Sequence, residues 1–259
     1  MKRFFLTITA TIAIVSFVSA QKKINQDSLV KEAAKTELWE PVPAMVSTQK
    51  PFADAPSDAI VLMNGKDLNS WHKELDKKAV GWKLDKEGIT TVVKGSGNIE
   101  TNQAFGNCQL HVEWREPSAI AGSSQTRGNS GIFFMGRYEL QVLDSYNNPT
   151  YVNGQAGSIY KQHIPLVNAS KKPGEWQTYD VVFTAPQFYA DGNLQTPAYI
   201  TVFLNGVLVQ NHVAIKGHTE WIGTPVYSAH KDKEPLVLQD HGLDGGNPMS
   251  YRNIWIREL

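Results

Sequence analysis

The sequence predicts an all-β sandwich, and three observations carry that reading. Short runs of alternating apolar and polar residues recur from residue 59 to the end, separated by Gly, Asn, Asp and Pro. Asn205-Gly206 sits between two such runs, and this pair favours the positive φ values that a tight hairpin turn needs. Aromatic residues make up 10% of the chain, with seven Trp and nine Tyr, more than a disordered chain tolerates. The 259 residues suffice for one large all-β domain, or two small ones, with a full core.

Taken in order, residues 1–20 read as an export signal: Lys2-Arg3, an apolar stretch from Phe4 to Val18, then small residues before Gln21. Cleavage there would leave no membrane span, and no Cys follows to carry a lipid anchor. The expected location is a bacterial periplasm or the exterior. Residues 21–58 read as an N-terminal extension, with a short helix over Ser28–Leu38 and then a Pro-rich stretch. The compact domain is expected over 59–259. Its strand-like runs are Gly81–Leu84, Ile89–Val93, Asn98–Thr101, Cys108–Arg115, Ile132–Met135, Tyr138–Leu143, Gly157–Tyr160, Trp176–Phe183, Tyr199–Leu204, Val207–His212, Leu236–His241 and Tyr251–Glu258. The lone Cys108 cannot form an intrachain disulfide and reads as a small buried hydrophobe. Formal net charge is +0, which gives no sign of a nucleic-acid partner.

The most informative stretch is Asn129–Ser145. Two strand-like runs meet across Gly136-Arg137, read as a tight hairpin. In the second, Tyr138, Leu140 and Val142 alternate with Glu139 and Gln141. Because successive side chains leave a strand on opposite faces, Glu139 and Gln141 project together, away from the apolar set. A carboxylate beside a carboxamide is a poor core and a good ligand for hydroxyl groups. The run Cys108–Arg115 shows the same habit: Gln109, His111, Glu113 and Arg115 oppose Leu110, Val112 and Trp114. Gln239 and His241 repeat it. Several strands with polar faces suggest a sugar-binding surface, in which donors and acceptors pair with hydroxyls and aromatics stack on ring faces.

A retaining glycosidase needs two carboxyls about 5 Å apart. On one strand these would stand at i, i+2 and i+4, which here are Glu139, Gln141 and Leu143, while Asp144 falls on the opposite face. A double-displacement mechanism is disfavoured.

These residues resemble the 3-keto-disaccharide hydrolase domain family. The resemblance is carried, in order, by Leu62–Trp71, Glu113-Trp114-Arg115, Asn129–Phe134, Tyr138–Ser145, Gly157–Tyr160, Lys172–Trp176, Leu204-Asn205-Gly206, Leu238–Gly242 and Tyr251–Arg257, spanning residues 59–259. It implies a concanavalin A-like jelly roll acting on an oxidised (3-keto) glycoside or disaccharide. A C3 ketone acidifies the C2 proton, so that a base can remove it, the C1 substituent can leave and water can add back. Such a site needs a base, an acid for the leaving oxygen, and donors or a cation at the enolate oxygen.

Carried onto this chain, the resemblance implies the following roles. Glu139 is a base or acid. Glu113 and Arg115 form a second acid and a clamp, or else a plain ion pair. His241 is an acid/base, a metal ligand or a hydrogen-bonded strand end. Asn129 and Ser130 shape the pocket rim or a turn, and Gln141 and Gln239 pair with hydroxyls. Tyr160 and Trp176 stack on sugar, with core packing the alternative for Trp176. Arg252 holds a carboxylate on the neighbouring strand or is a surface charge. A divalent cation is an open possibility, with His111, Glu113, Glu139 and His241 as candidate ligands. Residues 116–128 read as a long flexible loop, and it and the link after Gly242 are expected to border the pocket. A non-catalytic carbohydrate-binding module on the same jelly roll and a conventional glycoside hydrolase are the other readings.

Overall fold

The computed structural model describes residues 27–42, 55–242 and 248–259. The expected export signal, and most of the link after Gly242, lie outside these residues. The chain folds as an all-β jelly-roll sandwich of antiparallel strands. One sheet has five strands in the order Trp71–Lys73, Ile99–Phe105, Glu234–Leu238, Asn129–Phe134 and Tyr138–Leu143. The other has eight: Val207–Ala214, Tyr199–Leu204, Gln177–Thr184, Cys108–Arg115, Ser250–Glu258, Thr90–Thr91 and Lys83–Leu84 in that order, with Ile60–Met63 also paired to Ser250–Glu258.

The core forms where the apolar sets of the two sheets meet. Leu110, Val112 and Trp114 from one sheet, and Ile132, Phe134, Leu140 and Val142 from the other, are all buried. Phe134 stacks on Phe183 across the interface with centroids 4.7 Å apart, and within the eight-stranded sheet Trp114 meets Tyr179 at 5.6 Å. The Tyr179 hydroxyl donates to the Gln141 carbonyl at 2.7 Å, so one inter-sheet contact is also a hydrogen bond. Cys108 is a free, buried thiol whose pKa burial pushes up to about 12, as expected of a packing residue.

Two turns are set by residues with positive φ. Asn205 and Gly206, at 54° and 81°, make the expected hairpin. In the other hairpin the positive-φ pair is Met135-Gly136, at 55° and 65°, one residue earlier than the expected Gly136-Arg137. The register Phe134↔Tyr138 explains the shift, because Arg137 becomes the third loop residue and its amide donates to the Phe134 carbonyl. Gly157–Tyr160 is not a strand but a loop that touches the sheet through the isolated bridge Leu140↔Ile159. Around the Pro-poor start of the extension, residues 27–34 are helical, shorter than the expected Ser28–Leu38. Among the described residues no helix is long and apolar enough to cross a membrane.

Candidate active site

The outer face of the five-stranded sheet carries the site. Direct cross-strand partners share a face. Glu139 stands opposite Phe133, Gln141 opposite Gly131, and Leu143 opposite Asn129. Phe133 in turn faces Val237, and the Gln239 amide donates to the Gly131 carbonyl at 3.0 Å. Gly131 has no side chain, and this bare stretch of backbone is the floor on which the Glu139 carboxyl and the Phe133 ring lie. Around it stand Glu139, Gln141, Asn129, Gln239 and His241.

The floor is needed for the carboxyl. A Cβ at Gly131 would lie 2.6 Å from Glu139 Oε1 and 2.8 Å from the Phe133 ring. Gly131 does not have a positive φ, so its backbone would accept alanine and only the side-chain space would not. Gly131→Ala should therefore leave the fold intact while displacing the carboxyl by about 1 Å, with a loss of activity of about a hundredfold. Unchanged turnover together with an unchanged thermal midpoint would show that the carboxyl position does not matter.

Glu139 is buried with no charged partner, and burial alone pushes its pKa up to about 8. At neutral pH it mostly keeps its proton. Asn129 Nδ2 donates to the Gln125 carbonyl at 2.9 Å and lies 3.3 Å from both Gln125 Oε1 and His241 Nε2. Gln141 Nε2 donates to Gln125 Oε1 at 3.0 Å and to the Gly154 carbonyl at 3.1 Å. Gln125 thus locks both amides from a single-turn helix, Ser124–Thr126, so the loop 116–128 borders the site and is pinned there rather than loose. Burial pushes the His241 pKa down, which keeps the imidazole neutral near pH 7. Among the described residues, Asn129 Oδ1, Gln141 Oε1, Gln239 Oε1 and His241 Nδ1 are buried without a hydrogen-bond partner. Groups of this kind cost free energy unless something pairs with them. Their convergence beside a lone carboxyl suits a ligand rich in hydroxyls.

Several expected site residues stand elsewhere. Cys108–Arg115 belongs to the eight-stranded sheet, so the polar face with His111, Glu113 and Arg115 looks outward on the far side of the sandwich from Glu139. Alternation assigns a residue to a face of its own strand but does not say which sheet the strand joins. Glu113 is one half of an ion pair there: Arg252 Nε donates to Oε2 at 2.5 Å and Asn253 Nδ2 to Oε1 at 2.8 Å. Burial would raise its pKa, but the bonds from His111, Asn253 and Arg252 win and hold it down at about 2. His111 is fully buried, and burial would lower its pKa, yet Asp180 and Glu113 together hold it up at about 9. Arg252 thus does hold a neighbouring carboxylate, but not in the Glu139 pocket. Trp176 is neither a core residue nor near Glu139; the Arg115 and Arg252 guanidinium groups lie over its ring at 4.6 and 4.0 Å.

Ser130 faces the core, donating to the Gln239 carbonyl at 2.6 Å and accepting from the Tyr251 hydroxyl at 2.7 Å, because it is opposite Val142 on the inner face. The four candidate cation ligands are split between the two outer faces. Among the described residues no three His, Cys, Asp or Glu side chains cluster to hold a metal ion. Asp144 faces inward as expected, bound to Arg127 and close to Glu116.

Tyr160 does belong to the Glu139 site. Its amide donates to the Glu139 carbonyl at 3.2 Å, and its hydroxyl bonds the Tyr151 hydroxyl at 2.7 Å. Sequence reasoning missed Gly131, Gln125 and Tyr151; of these only Gly131, inside the run Asn129–Phe134, carried a visible signal, a glycine in a strand where something approaches closely. A cleft of about 790 Å³ opens elsewhere, beside Asn107, Thr184, Phe188 and Lys233. None of its lining residues has a buried polar side-chain atom left unpaired, so the chemistry points to the sheet face instead.

Comparison with solved structures finds a protein from Parabacteroides distasonis ATCC 8503, described as a candidate glycosyl hydrolase, that is 53% identical; the match covers 86% of this chain and 94% of that one, with a TM-score of 0.77. A second protein of the same description and organism is 21% identical over 78% of this chain and 94% of its own, with a TM-score of 0.54, and shares the fold. No curated protein matches. Residues 58–257 match the 3-keto-alpha-glucoside-1,2-lyase-like domain, and the chain belongs to that family.

Proposed function

We propose that this chain is a carbohydrate-active enzyme that cleaves 3-keto-glycosides at the Glu139 pocket by C2 proton abstraction, elimination and hydration. The observation that carries the reading is one buried carboxyl, without a charged partner, facing unpaired amide oxygens and an unpaired imidazole nitrogen. Glu139, once ionised, takes the C2 proton; the C1–O bond breaks as the C1=C2 bond forms, and the departing oxygen leaves as an alcohol with a proton returned from Glu139 or supplied by water; water then adds across the double bond, hydroxyl to C1 and proton to C2, to give the free 3-keto sugar. A pKa near 8 makes Glu139 a stronger base than an ordinary carboxylate while leaving a working fraction ionised. Neutral His241 is the second group able to carry a proton, and with Asn129 Nδ2 donating to Nε2 its proton rests on Nδ1, the unpaired atom. Asn129, Gln141 and Gln239 orient hydroxyls. The expected export of the chain would place this chemistry outside the cytoplasm.

The test is sugar release by the purified protein from a 3-keto-glucoside and from the same glucoside unoxidised, with and without chelator. Release from the keto form alone is expected, and chelator sensitivity would assign a part to a divalent cation. Release from the unoxidised glucoside would replace this reading with a conventional glycoside hydrolase, which the single pocket carboxyl opposes. Binding without release from either would make the chain a carbohydrate-binding module.

A further inference from the structure

The N-terminal extension lies outside the matched family domain, yet it is docked against the wall of the Glu139 pocket. Asn153 holds it from both sides: its Nδ2 donates to the Thr36 carbonyl at 3.1 Å, and its Oδ1 accepts from the Leu38 amide at 3.0 Å. The Val152 amide donates to the Leu38 carbonyl. Ala33 is buried, and Lys161 Nζ donates to its carbonyl at 2.7 Å. The next residues bring Trp39 edge-on to Tyr151, with centroids 6.4 Å apart. Tyr151 is the partner of Tyr160, whose amide bonds Glu139.

A second segment arrives at the same ammonium. Lys161 Nζ also donates to the Trp221 carbonyl at 2.9 Å. Two residues before Trp221, Thr219 Oγ1 accepts from the Glu139 amide at 3.0 Å. The ammonium lies 5.6 and 5.8 Å from the Tyr151 and Tyr160 ring centroids. Two chain segments far apart in sequence are therefore tied to one side chain beside the catalytic strand, and each carries a tryptophan there. Both are half exposed, Trp39 at 54% and Trp221 at 47%. Single exposed apolar residues are ordinary, but here two half-exposed tryptophans lie on segments that both bond Lys161, one through the Trp221 carbonyl itself and the other through Ala33, with Trp39 six residues further on against Tyr151, and such a pair beside a polar site is a surface with a use.

We infer that Trp39 and Trp221 form a ring-binding rim for a second pyranose, the leaving-group sugar of a disaccharide substrate. Sugar rings present apolar faces of axial C–H bonds, and aromatic platforms take them without losing the hydroxyl hydrogen bonds at the ring edge. The pocket supplies polar groups for one oxidised ring, and the rim supplies flat apolar area for the next. This rests on reading the Glu139 pocket as the site of glycosidic cleavage.

The test reads binding without turnover, by calorimetric titration in the full chain carrying Glu139→Gln. The ligands are maltose, cellobiose and trehalose, their 3-keto forms, and methyl glucoside with its 3-keto form. At least one disaccharide should bind more tightly than the matching methyl glucoside. Adding Trp39→Ala or Trp221→Ala should weaken that disaccharide roughly five- to tenfold and leave methyl glucoside unchanged, with Trp→Phe restoring part of the loss. Circular dichroism of each variant confirms the fold. Equal weakening of both ligand sizes, no weakening of either, or no preference for a disaccharide overturns the rim. Rim-dependent binding with no turnover of 3-keto ligands by the unsubstituted protein would instead sink the lyase reading and leave the rim standing.

Discussion

Glu139→Gln should abolish turnover of a 3-keto-glucoside and at the same time stabilise the protein in alkali. Loss of a positioned base costs about 10²–10⁴ in rate, and burial alone, with no neighbouring charge, sets the Glu139 carboxyl apart. The stability gain follows from linkage. Burial raises the Glu139 pKa to about 8 from an ordinary 4.5, so between these values the native state holds a proton that the unfolded state has released. Stability therefore falls as pH rises through that window, and the full cost of burying the charge is present above pH 8. The glutamine amide has nearly the same shape and does not titrate. The variant should equal the unsubstituted protein near pH 4.5 and exceed it by something of the order of 5 kcal/mol near pH 9, read from chemical denaturation at both pH values. The kcat/KM of the unsubstituted enzyme should climb with pH, pass half its maximum near pH 8 and level off about one unit above, as the ionised base accumulates. A variant that keeps its turnover would remove Glu139 from the chemistry. One that gains no stability at pH 9 would show that the carboxyl is not charged in a buried site.

Arg127→Met should be among the most destabilising single changes in the molecule. Arg127 and Asp144 are both buried. Arg127 Nε donates to Asp144 Oδ2 at 2.8 Å, Nη2 donates to the same oxygen, and Nη1 donates to the Tyr146 carbonyl at 3.3 Å. Burial holds the Asp144 pKa above the ordinary range despite the guanidinium. Close by, Glu116 is raised to about 8, first by burial and then by the Asp144 charge among other contacts, with Gln177 Nε2 donating to its Oε1 at 3.0 Å. Gly128 lies between the two carboxylic side chains, and a Cβ there would sit 3.0 Å from Glu116 Cβ and 3.8 Å from Asp144 Cβ. Removing the cation leaves a buried carboxylate without compensation, and such losses run to about 3–5 kcal/mol. Adding Asp144→Asn should return a large part of it. If the single and double variants melt alike, the pair is not what Arg127 contributes. Because the Asp144 amide donates to the Gly128 carbonyl at 2.8 Å, the damage should also reach the loop that carries Gln125.

The contrast between these two carboxylates shows how much of the site was legible. Both lie at the Tyr138–Leu143 strand, and alternation alone correctly set Glu139 and Gln141 on one face and Asp144 on the other. What alternation could not reveal is that both faces are buried. Alternation alone would leave Glu139 facing solvent, whereas its raised pKa comes from burial, with the segments at Tyr160 and Thr219 bonded to its backbone along the free edge of the strand. Asn129, Gln239 and His241 were legible as polar positions on candidate strands, and the strand order brought them to Glu139. Glu113, His111, Arg115 and Arg252 were equally legible as polar positions, and the strand order took them to the opposite side of the sandwich.

Local chemistry, written in the sequence, determined the all-β class, the Asn205-Gly206 turn and the in-or-out phase of each strand, because backbone φ/ψ preferences and the two-residue repeat are short-range properties. Only the tertiary structure decided which polar faces share a site, which carboxyl lost its water, and where the N-terminal extension comes to rest. Those outcomes depend on which strands become neighbours and which loops cover them, and the contacts involved, such as Asn153 with Leu38 or Asn129 with His241, join residues more than a hundred positions apart.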